Sequence, residues 1–344
     1  MEPRPRDLVL AQIGHRDTDP VPYTLGFEEE VGVQLDRHYR GSQWRSGIQP
    51  YLHSVQVVDP RRHLTTDHPA YERDVYGSLW QVDRRPFHLV EPGLPEPDFT
   101  GHDWPEPARF LLDDAVVAEA QRSCAEAADR LLTVAYLGWG LFESSWGIRG
   151  FENVLMDIAA EPDFYADLLD RLTDQFLAFI DLTCDALPDV DVIMLGDAWG
   201  HQHGVMVGPE RWRAFFKPRY ARIYEAVHRR GKLVFSHCCG SVADIIPDIV
   251  DIGLDVLESV QPEAAGMNPY ELKRRWGDRI TFWGCLGSQS TIQFGTPEQI
   301  HREVRRLRRE MASGGGYILA PAKGLQPGTP IENAAAVVEA ITGG

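Results

Sequence analysis

The sequence predicts an α/β fold in which a parallel sheet closes into a barrel and is covered by helices. Short apolar runs alternate with helical patterns along the chain, and this alternation is typical of parallel strands joined by helices. The length of 344 residues exceeds that of most domains but suits one α/β barrel. Reactive side chains also follow several of the predicted strands, at the ends where such barrels build their sites.

Seven short apolar runs, separated by helical patterns, are the predicted strands of this sheet. They cover residues 21–27, 132–137, 190–195, 233–236, 256–260, 280–283 and 317–320. The helical patterns between them place apolar residues three and four positions apart, as in an amphipathic helix. Helices are therefore predicted over residues 115–132, 162–187, 209–230, 243–252, 297–313 and 331–342. Pro218 lies inside one of these patterns and is predicted to kink or interrupt that helix.

Residues 41–107 follow neither pattern. This segment is rich in Pro, Asp, His and aromatic residues and is too long for a tight turn. We interpret it as an elaborated entry to the barrel that caps the active-site end. We therefore expect residues 1–344 to form one domain.

The charge balance and the cysteines exclude several classes of protein. Lys and Arg total 34 against 51 Asp and Glu, a formal net charge of −17, which opposes nonspecific attraction to nucleic acid or anionic lipid. No apolar run approaches the roughly 18 residues that span a bilayer. The five cysteines suggest no disulfide framework, and the first residues lack the apolar core of a signal peptide. We expect a cytoplasmic protein with neither a nucleic-acid nor a membrane partner.

The stretch SHCCG at 236–240 follows an apolar strand and carries the most informative chemistry of the chain. Alternate side chains of an extended backbone share a face, so His237 and Cys239 point the same way. Imidazole and thiolate suit Zn²⁺, with bonds of roughly 2.0 to 2.3 Å, and Gly240 lets the backbone turn away. The spacing predicts half of a zinc site, although burial of Cys239 in the core is the alternative.

Other polar residues follow the predicted strands, and α/β barrels gather such groups at one end. Each also has a purely structural interpretation: Asp197 caps a helix, Trp199 packs, and His201 lies in a solvated loop. The candidates after these strands are Asp197, Trp199, His201, Gln261, Cys285, Gln289, Lys323 and Gln326.

The ordered motifs resemble those of the uroporphyrinogen decarboxylase superfamily, which also contains zinc-dependent corrinoid methyltransferases. The matching pieces are GFEEEVGVQL, LFESSWGIRGFENVL, IMLGDAWGHQ, VGPERWRAFFKPRY, the long segment from SHCCGSVADIIPDIV to WGCLGSQ, and GGGYILAPAKGLQPGTPIEN. The resemblance implies a (β/α)8 TIM barrel with its cleft at the carboxyl ends of the strands. The residues predicted to bind substrate are Trp146, Arg149, Trp199, His201, Gln261 and Gln289.

The resemblance favours the methyltransferase branch. Porphyrinogen decarboxylases carry an arginine-containing motif near the N-terminus, whereas residues 21–27 read VPYTLGF without arginine. The methyltransferase pattern His-x-Cys-Gly matches His237, Cys239 and Gly240. The next family ligand, a cysteine or a histidine, aligns with Lys323, whose ammonium would be repelled by a metal dication. Cys285, Cys238 and Glu143 are therefore open alternatives for the third ligand.

Two reactions remain open. In the first, Zn²⁺ held by His237, Cys239 and one further group activates a small substrate for methyl exchange with a methylated corrinoid on a partner protein. In the second, a metal-free decarboxylase or other lyase acts on a small carboxylic acid, Asp197 or a histidine moves the proton, and Lys323 with Arg149 holds the carboxylate. A noncatalytic binding protein is the third alternative. We also consider a homodimer as an assembly of this chain.

Overall fold

The computed structural model describes residues 3–134 and 139–343. The strands in chain order are β1 (Leu52–Val55), β2 (His63–Thr65), β3 (Tyr71–Asp74), β4 (Leu79–Gln81), β5 (His88–Glu91), β6 (Leu131–Val134), β7 (Val192–Gly196), β8 (Gly200–His201), β9 (Gly204–Val205), β10 (Leu233–His237), β11 (Val256–Val260), β12 (Thr281–Leu286) and β13 (Tyr317–Pro321). Seven of them form a parallel sheet in the order β1-β6-β7-β10-β11-β12-β13. Three residues of the predicted strand 132–137, numbers 135–137, lie outside the described residues.

An extended segment lies beside the last strand and continues the curl of the sheet into a TIM barrel. Tyr23 forms a parallel bridge with Leu319 of β13, and the amide of Leu25 donates to the carbonyl of Ile48, shortly before β1. The predicted strand 21–27 is thus an extended segment with isolated bridges and not a regular strand. Pro22 contributes to this irregularity because it has no amide hydrogen to donate to a neighbouring strand.

Most helices of the described part cover the outer side of the sheet, whereas Leu8 and Val9 of the first helix pack with Phe235 and other residues of the barrel interior. The helices are α1 (Pro5–Ile13), α2 (Glu29–His38), α3 (Asp114–Glu126), α4 (Leu141–Arg149), α5 (Phe151–Ala160), α6 (Pro162–Ala186), α7 (Pro209–Phe215), α8 (Lys217–Arg229), α9 (Ile246–Asp251), α10 (Pro269–Trp276), α11 (Thr291–Phe294), α12 (Pro297–Met311) and α13 (Ile331–Thr342). Pro218 interrupts the predicted helix 209–230 as expected, since α7 ends at Phe215 and α8 begins at Lys217. The predicted helix 115–132 is too long, because its last residues enter β6.

The segment 41–107 contains two features that its composition does not predict. Strand β1 belongs to the barrel, and β2 to β5 form a separate antiparallel sheet. This small sheet packs against α4, because Trp80 lies next to Gly147. Its strands have three or four residues each, too few to show a sustained alternation of apolar and polar side chains.

The apolar side chains of the strands form two clusters, and the cluster to which a residue belongs shows whether it faces the barrel interior or the helices. Phe235, Val256, Trp283 and Ile318 belong to an inner cluster, whereas the larger cluster lies between the sheet and the helices. Side chains two positions apart on a regular strand share a face. His237 follows Phe235 by two residues and Glu258 follows Val256 by two, so both side chains point toward the interior near the carboxyl ends of their strands.

No helix in the ranges 3–134 and 139–343 is long and apolar enough to cross a membrane.

Candidate functional site

The structure brings the predicted pair His237 and Cys239 into direct contact. His237 is the last residue of β10, and its Nε2 lies 3.3 Å from the Sγ of Cys239. Two such atoms bonded to one tetrahedral zinc ion, at roughly 2.0 and 2.3 Å, lie about 3.5 Å apart. The observed separation therefore fits two ligands of a shared metal ion. Gly240, at φ +82°, turns the chain away directly after the pair.

Glu258 fixes the orientation of His237 from the neighbouring strand. It lies opposite His237 in the register of β10 and β11, and its Oε2 makes a short hydrogen bond with the histidine Nδ1. A carboxylate can only accept this bond, so Nδ1 carries the hydrogen and Nε2 is the atom turned toward Cys239. A carboxylate that bonds the Nδ1 of a histidine in this way is the usual second partner of metal-binding histidines.

The pair also has the electrostatics of a metal-binding thiolate. Burial by itself lowers the pKa of His237, but Glu258 and Cys239 outweigh it and raise that pKa well above its usual value. Burial raises the pKa of Cys239, yet the hydrogen bond and charge of His237 bring it below the usual value for a thiol. The thiolate is the form of cysteine that binds metals, so the histidine favours the ligand state of its neighbour.

Ser259 links Cys239 to the loop after β13. Its backbone is left-handed, at φ +69°, and its hydroxyl lies 3.8 Å from the Cys239 sulfur while bonding the carbonyl of Ala322. Lys323 follows Ala322, and its side chain is exposed. The loop after β13 is thus joined to the cysteine through one buried serine.

Asp197 does not present an available carboxylate to a substrate. It is buried, and five donors bond its two oxygens: the amides of Phe142, Glu143 and Ala198, the indole of Trp199, and the hydroxyl of Tyr220. This corrects the expectation that Asp197 moves protons and that Trp199 contacts substrate. Asp197 instead bonds the first turn of α4, as its helix-capping interpretation predicted.

Glu143 is a second carboxyl group, besides Glu258, that interacts with the predicted pair. Asp197 holds its amide at 3.0 Å, and its carboxyl group interacts electrostatically with His237 and Cys239. Burial raises the pKa of Glu143 to about 8, Asp197 adds to this effect, and Arg61 and His237 oppose it. Burial therefore favours the protonated form of Glu143, and the charge of Arg61 opposes it.

Arg61 is a residue near this site that sequence reasoning missed. Its guanidinium lies 4.0 Å from the centre of the Trp139 ring, and it interacts electrostatically with Glu143. It comes from the segment 41–107, between β1 and β2. That segment has no period from which its position could be predicted, so only the fold brings Arg61 to Glu143.

Arg149, one of the residues expected to contact substrate, is held within the packing of α4, whereas Trp146 on the same helix is half-buried. Arg149 is buried and makes a bidentate ion pair with Asp157, at 2.7 and 3.1 Å. Its guanidinium is occupied, so Arg149 is not placed to hold a substrate carboxylate. Trp146 packs against Phe142 and Phe151, with ring centres 5.0 and 5.1 Å apart.

Cys285 does not join His237 and Cys239. Regular alternation would place it on the same face as Trp283, but Gly284 (φ +113°) and Cys285 (φ +73°) both leave the extended conformation. The thiol consequently belongs to the outer core and borders a cavity of about 340 Å³ together with Tyr270 and Glu303. Burial raises the pKa of Cys285. Both its location and its protonation argue against the expected role as third ligand.

The remaining predicted residues lie around the ends of the strands. Gln261 is buried and accepts a hydrogen bond from the amide of Gly240 at 3.2 Å, so it supports the turn after Cys239. His201 and Gln289 are exposed. Within residues 3–134 and 139–343, no three His, Cys, Asp or Glu side chains are arranged to hold a metal ion. His237 and Cys239 thus fit zinc as a two-ligand half-site, with Glu143 as the nearby carboxylate.

The parallel barrel and the reactive groups at one end of its strands define a TIM-barrel protein. The sequence model of the uroporphyrinogen decarboxylase (URO-D) family matches residues 117–343, and the chain belongs to that family. This confirms the resemblance recognised in its motifs.

Relatives with two different activities match this chain. A uroporphyrinogen decarboxylase of Coxiella burnetii is 28% identical over 184 residues, 53% of this chain and 48% of that protein. The methylcobamide:CoM methyltransferase MtaA of Methanosarcina barkeri is 29% identical over 183 residues, 52% of this chain and 49% of that protein. The chain thus spans about half the length of the curated relatives it matches.

A solved structure extends the similarity of fold to the whole chain. A methyltransferase from Methanosarcina mazei superposes with a TM-score of 0.70 at 20% sequence identity, over 99% of this chain and 98% of that one. At this identity the comparison supports the TIM-barrel fold and not the reaction.

The buried ion pair predicts a stability effect that distinguishes Arg149 from a substrate-binding residue. Replacing Arg149 with Met leaves Asp157 buried without its partner, and we expect a loss of about 3 to 5 kcal/mol in the free energy of unfolding, measured by urea denaturation. The exposed pair of Arg229 and Glu225 provides the control, since Arg229→Met should change stability little. A stable Arg149→Met protein with a raised KM would instead restore the substrate role.

Proposed function

We propose that this chain is a zinc-dependent methyltransferase that moves a methyl group between a small substrate and a corrinoid carried by a partner protein. The observation that carries the proposal is the contact of His237 Nε2 with Cys239 Sγ, with Glu258 behind the histidine. Similarity to the MtaA methyltransferase supports the same reaction class.

The side chains of the site have distinct tasks in this proposal. His237 and Cys239 hold the metal, Glu258 keeps His237 in the tautomer that can bind it, and Ser259 positions the sulfur. Glu143 is the proposed third ligand. Zinc bound there would act as a Lewis acid and keep a substrate thiol ionised at neutral pH. Arg61 adds a positive charge beside Glu143.

Metal-free decarboxylation is the second candidate, and Glu143 is the observation that favours it. With its pKa raised to about 8, this carboxyl group holds a proton at neutral pH and is able to protonate a carbanion. Arg61 would hold the carboxylate of a small acid in place of Arg149, which is occupied. The zinc content of the protein separates the two candidates.

The proposal also covers the cellular location, the partners and the assembly of the protein. We propose a cytoplasmic location, because all five cysteines are free thiols and a reducing compartment preserves them. The proposed partners are a small-molecule substrate and a corrinoid protein, while a homodimer remains to be tested by light scattering. Residues 1–344 are proposed to act as one domain.

The metal prediction concerns the zinc content of protein purified without a histidine tag and reconstituted with zinc. We expect about one zinc ion per chain by elemental analysis, and its loss in both His237→Ala and Cys239→Ser, because each removes one of two adjacent ligands. Cys285→Ser is the matched control and should retain zinc, since its thiol lies in the outer core. Equal zinc in the wild type and in Cys239→Ser would refute the site.

A second prediction tests the third ligand. If Glu143 binds zinc, Glu143→Gln should weaken zinc affinity by about 10- to 100-fold, measured by competition with a chromogenic chelator. Lys323→Met removes a charge from the exposed loop but no ligand, so its zinc affinity should match that of the wild type. Unchanged affinity in Glu143→Gln would exclude this carboxylate as a ligand and leave Glu143 as a proton donor.

A further inference from the structure

Helices α10 and α12 reverse the charge balance of the chain. Together they carry eight Lys and Arg against four Glu, whereas the whole chain has a formal net charge of −17. The two helices pack against each other, so their charges lie side by side in the outer layer of the barrel. An acidic molecule that approaches the protein is therefore attracted to these helices and repelled by the acidic remainder of the surface.

Arginines form a stripe along the exposed side of α12. Side chains three, four and seven positions apart lie on the same side of a helix. The residues with this spacing are Arg302, Arg305, Arg306 and Arg309, and all are exposed. Arg306 and Arg309 share Glu310 as an ion-pair partner, but the side chains of Arg302 and Arg305 have no such partner within residues 3–134 and 139–343. Both guanidinium groups are thus open to a ligand, with five N–H donors each.

A groove of about 510 Å³ lies beside this stripe and is bordered by an exposed aromatic ring. Phe294 and Arg302 both line the groove, and Phe294 is 80% exposed, the largest exposed fraction among the large apolar side chains of the described residues. The buried Asn333 fixes the backbone around this ring, because its amide donates to the carbonyls of Ile292 and Gly295 at 2.9 Å. The ring is therefore held in solvent beside an arginine, and these two side-chain types dominate the binding energy of protein interfaces.

Glutamates between the arginines restrict what can bind to this face. Glu303 also lines the groove and accepts a hydrogen bond from the Tyr270 hydroxyl at 2.6 Å. Glu271 and Glu298 are exposed, and Glu271 lies 3.9 Å from Arg274. A ligand with negative charge along its whole length would meet these carboxylates as well as the arginines. The face consequently suits a ligand whose negative charges are spaced to lie opposite the arginines alone.

We propose that α10, α12 and Phe294 form a docking surface for an acidic segment of a partner protein. Its carboxylates pair with Arg302 and Arg305, and one of its apolar side chains packs on the Phe294 ring. A protein can space its carboxylates in this way, whereas a nucleic acid carries a phosphate at every nucleotide. The surface requires neither zinc nor methyl transfer, so it goes beyond the proposed function.

Heptapeptides test the charge and the apolar contact separately. The first has a leucine between two runs of glutamate, the second a glycine between the same runs, and the third a leucine between two runs of glutamine. Isothermal titration of the full chain at low ionic strength should show the glutamate–leucine peptide binding about threefold more tightly than the glycine peptide. It should bind about tenfold more tightly than the glutamine peptide, and added salt should weaken it. Equal affinities for the glutamate–leucine and glutamine–leucine peptides would overturn the proposal.

Variants assign the binding to this surface. The double variant Arg302→Gln, Arg305→Gln should lower affinity for the glutamate–leucine peptide by about fivefold. The matched control Arg37→Gln, Arg211→Gln removes the same charge from exposed residues of α2 and α7 and should bind like the wild type. Phe294→Ala should bind the leucine and glycine peptides equally. An equal loss in the two double variants would show that overall charge governs binding and would refute the surface.

Two further results would assign the surface to a different occupant and overturn the proposal. An oligothymidylate of the same charge could bind more tightly than the glutamate–leucine peptide and lose affinity in the Arg302 and Arg305 double variant, which would indicate nucleic acid. Light scattering could instead show an oligomer that this double variant dissociates, which would indicate a second copy of the chain.

Discussion

The buried carboxylate of Asp197 is the interaction on which the functional end of the barrel depends. It stands directly after β7 and accepts hydrogen bonds from the first turn of α4, from the next residue along the chain and from two aromatic side chains. A carboxylate removed from water is costly unless such donors compensate it. Because these donors include the amide of Glu143, the same hydrogen bonds also fix the position of Glu143 in the first turn of α4.

The strands impose a second constraint through their register. Phe235 and Trp283 form the inner layer, and His237 and Glu258 stand one step further toward the carboxyl end, opposite each other on β10 and β11. This arrangement explains how one glutamate can orient a histidine and also line the interior of the barrel. Positioning of the candidate metal ligand and the shape of the barrel interior are therefore linked through the same side chain.

Membership of the URO-D family leaves the chemistry undecided, because decarboxylases and methyltransferases share the fold. The distinguishing residues lie at the ends of a few strands, where the family scaffold accepts different groups. Here, Lys323 is exposed, Cys285 faces the outer core, and Arg61 comes from the segment between β1 and β2. These surroundings of the His237 and Cys239 pair, and not the family membership, bear on which reaction the chain carries out.

The sequence by itself determined the features that depend on local periodicity. The alternation of side chains along β10 predicted that His237 and Cys239 would share a face, and regular apolar spacing predicted α6 and α13 almost to the residue. The barrel also followed from this pattern and from the family motifs. Only the tertiary structure decided which groups the side chains of Asp197, Arg149 and Cys285 contact. Their roles depend on partners distant in sequence and, for Cys285, on two left-handed residues that turn the side chain from the inner face to the outer one.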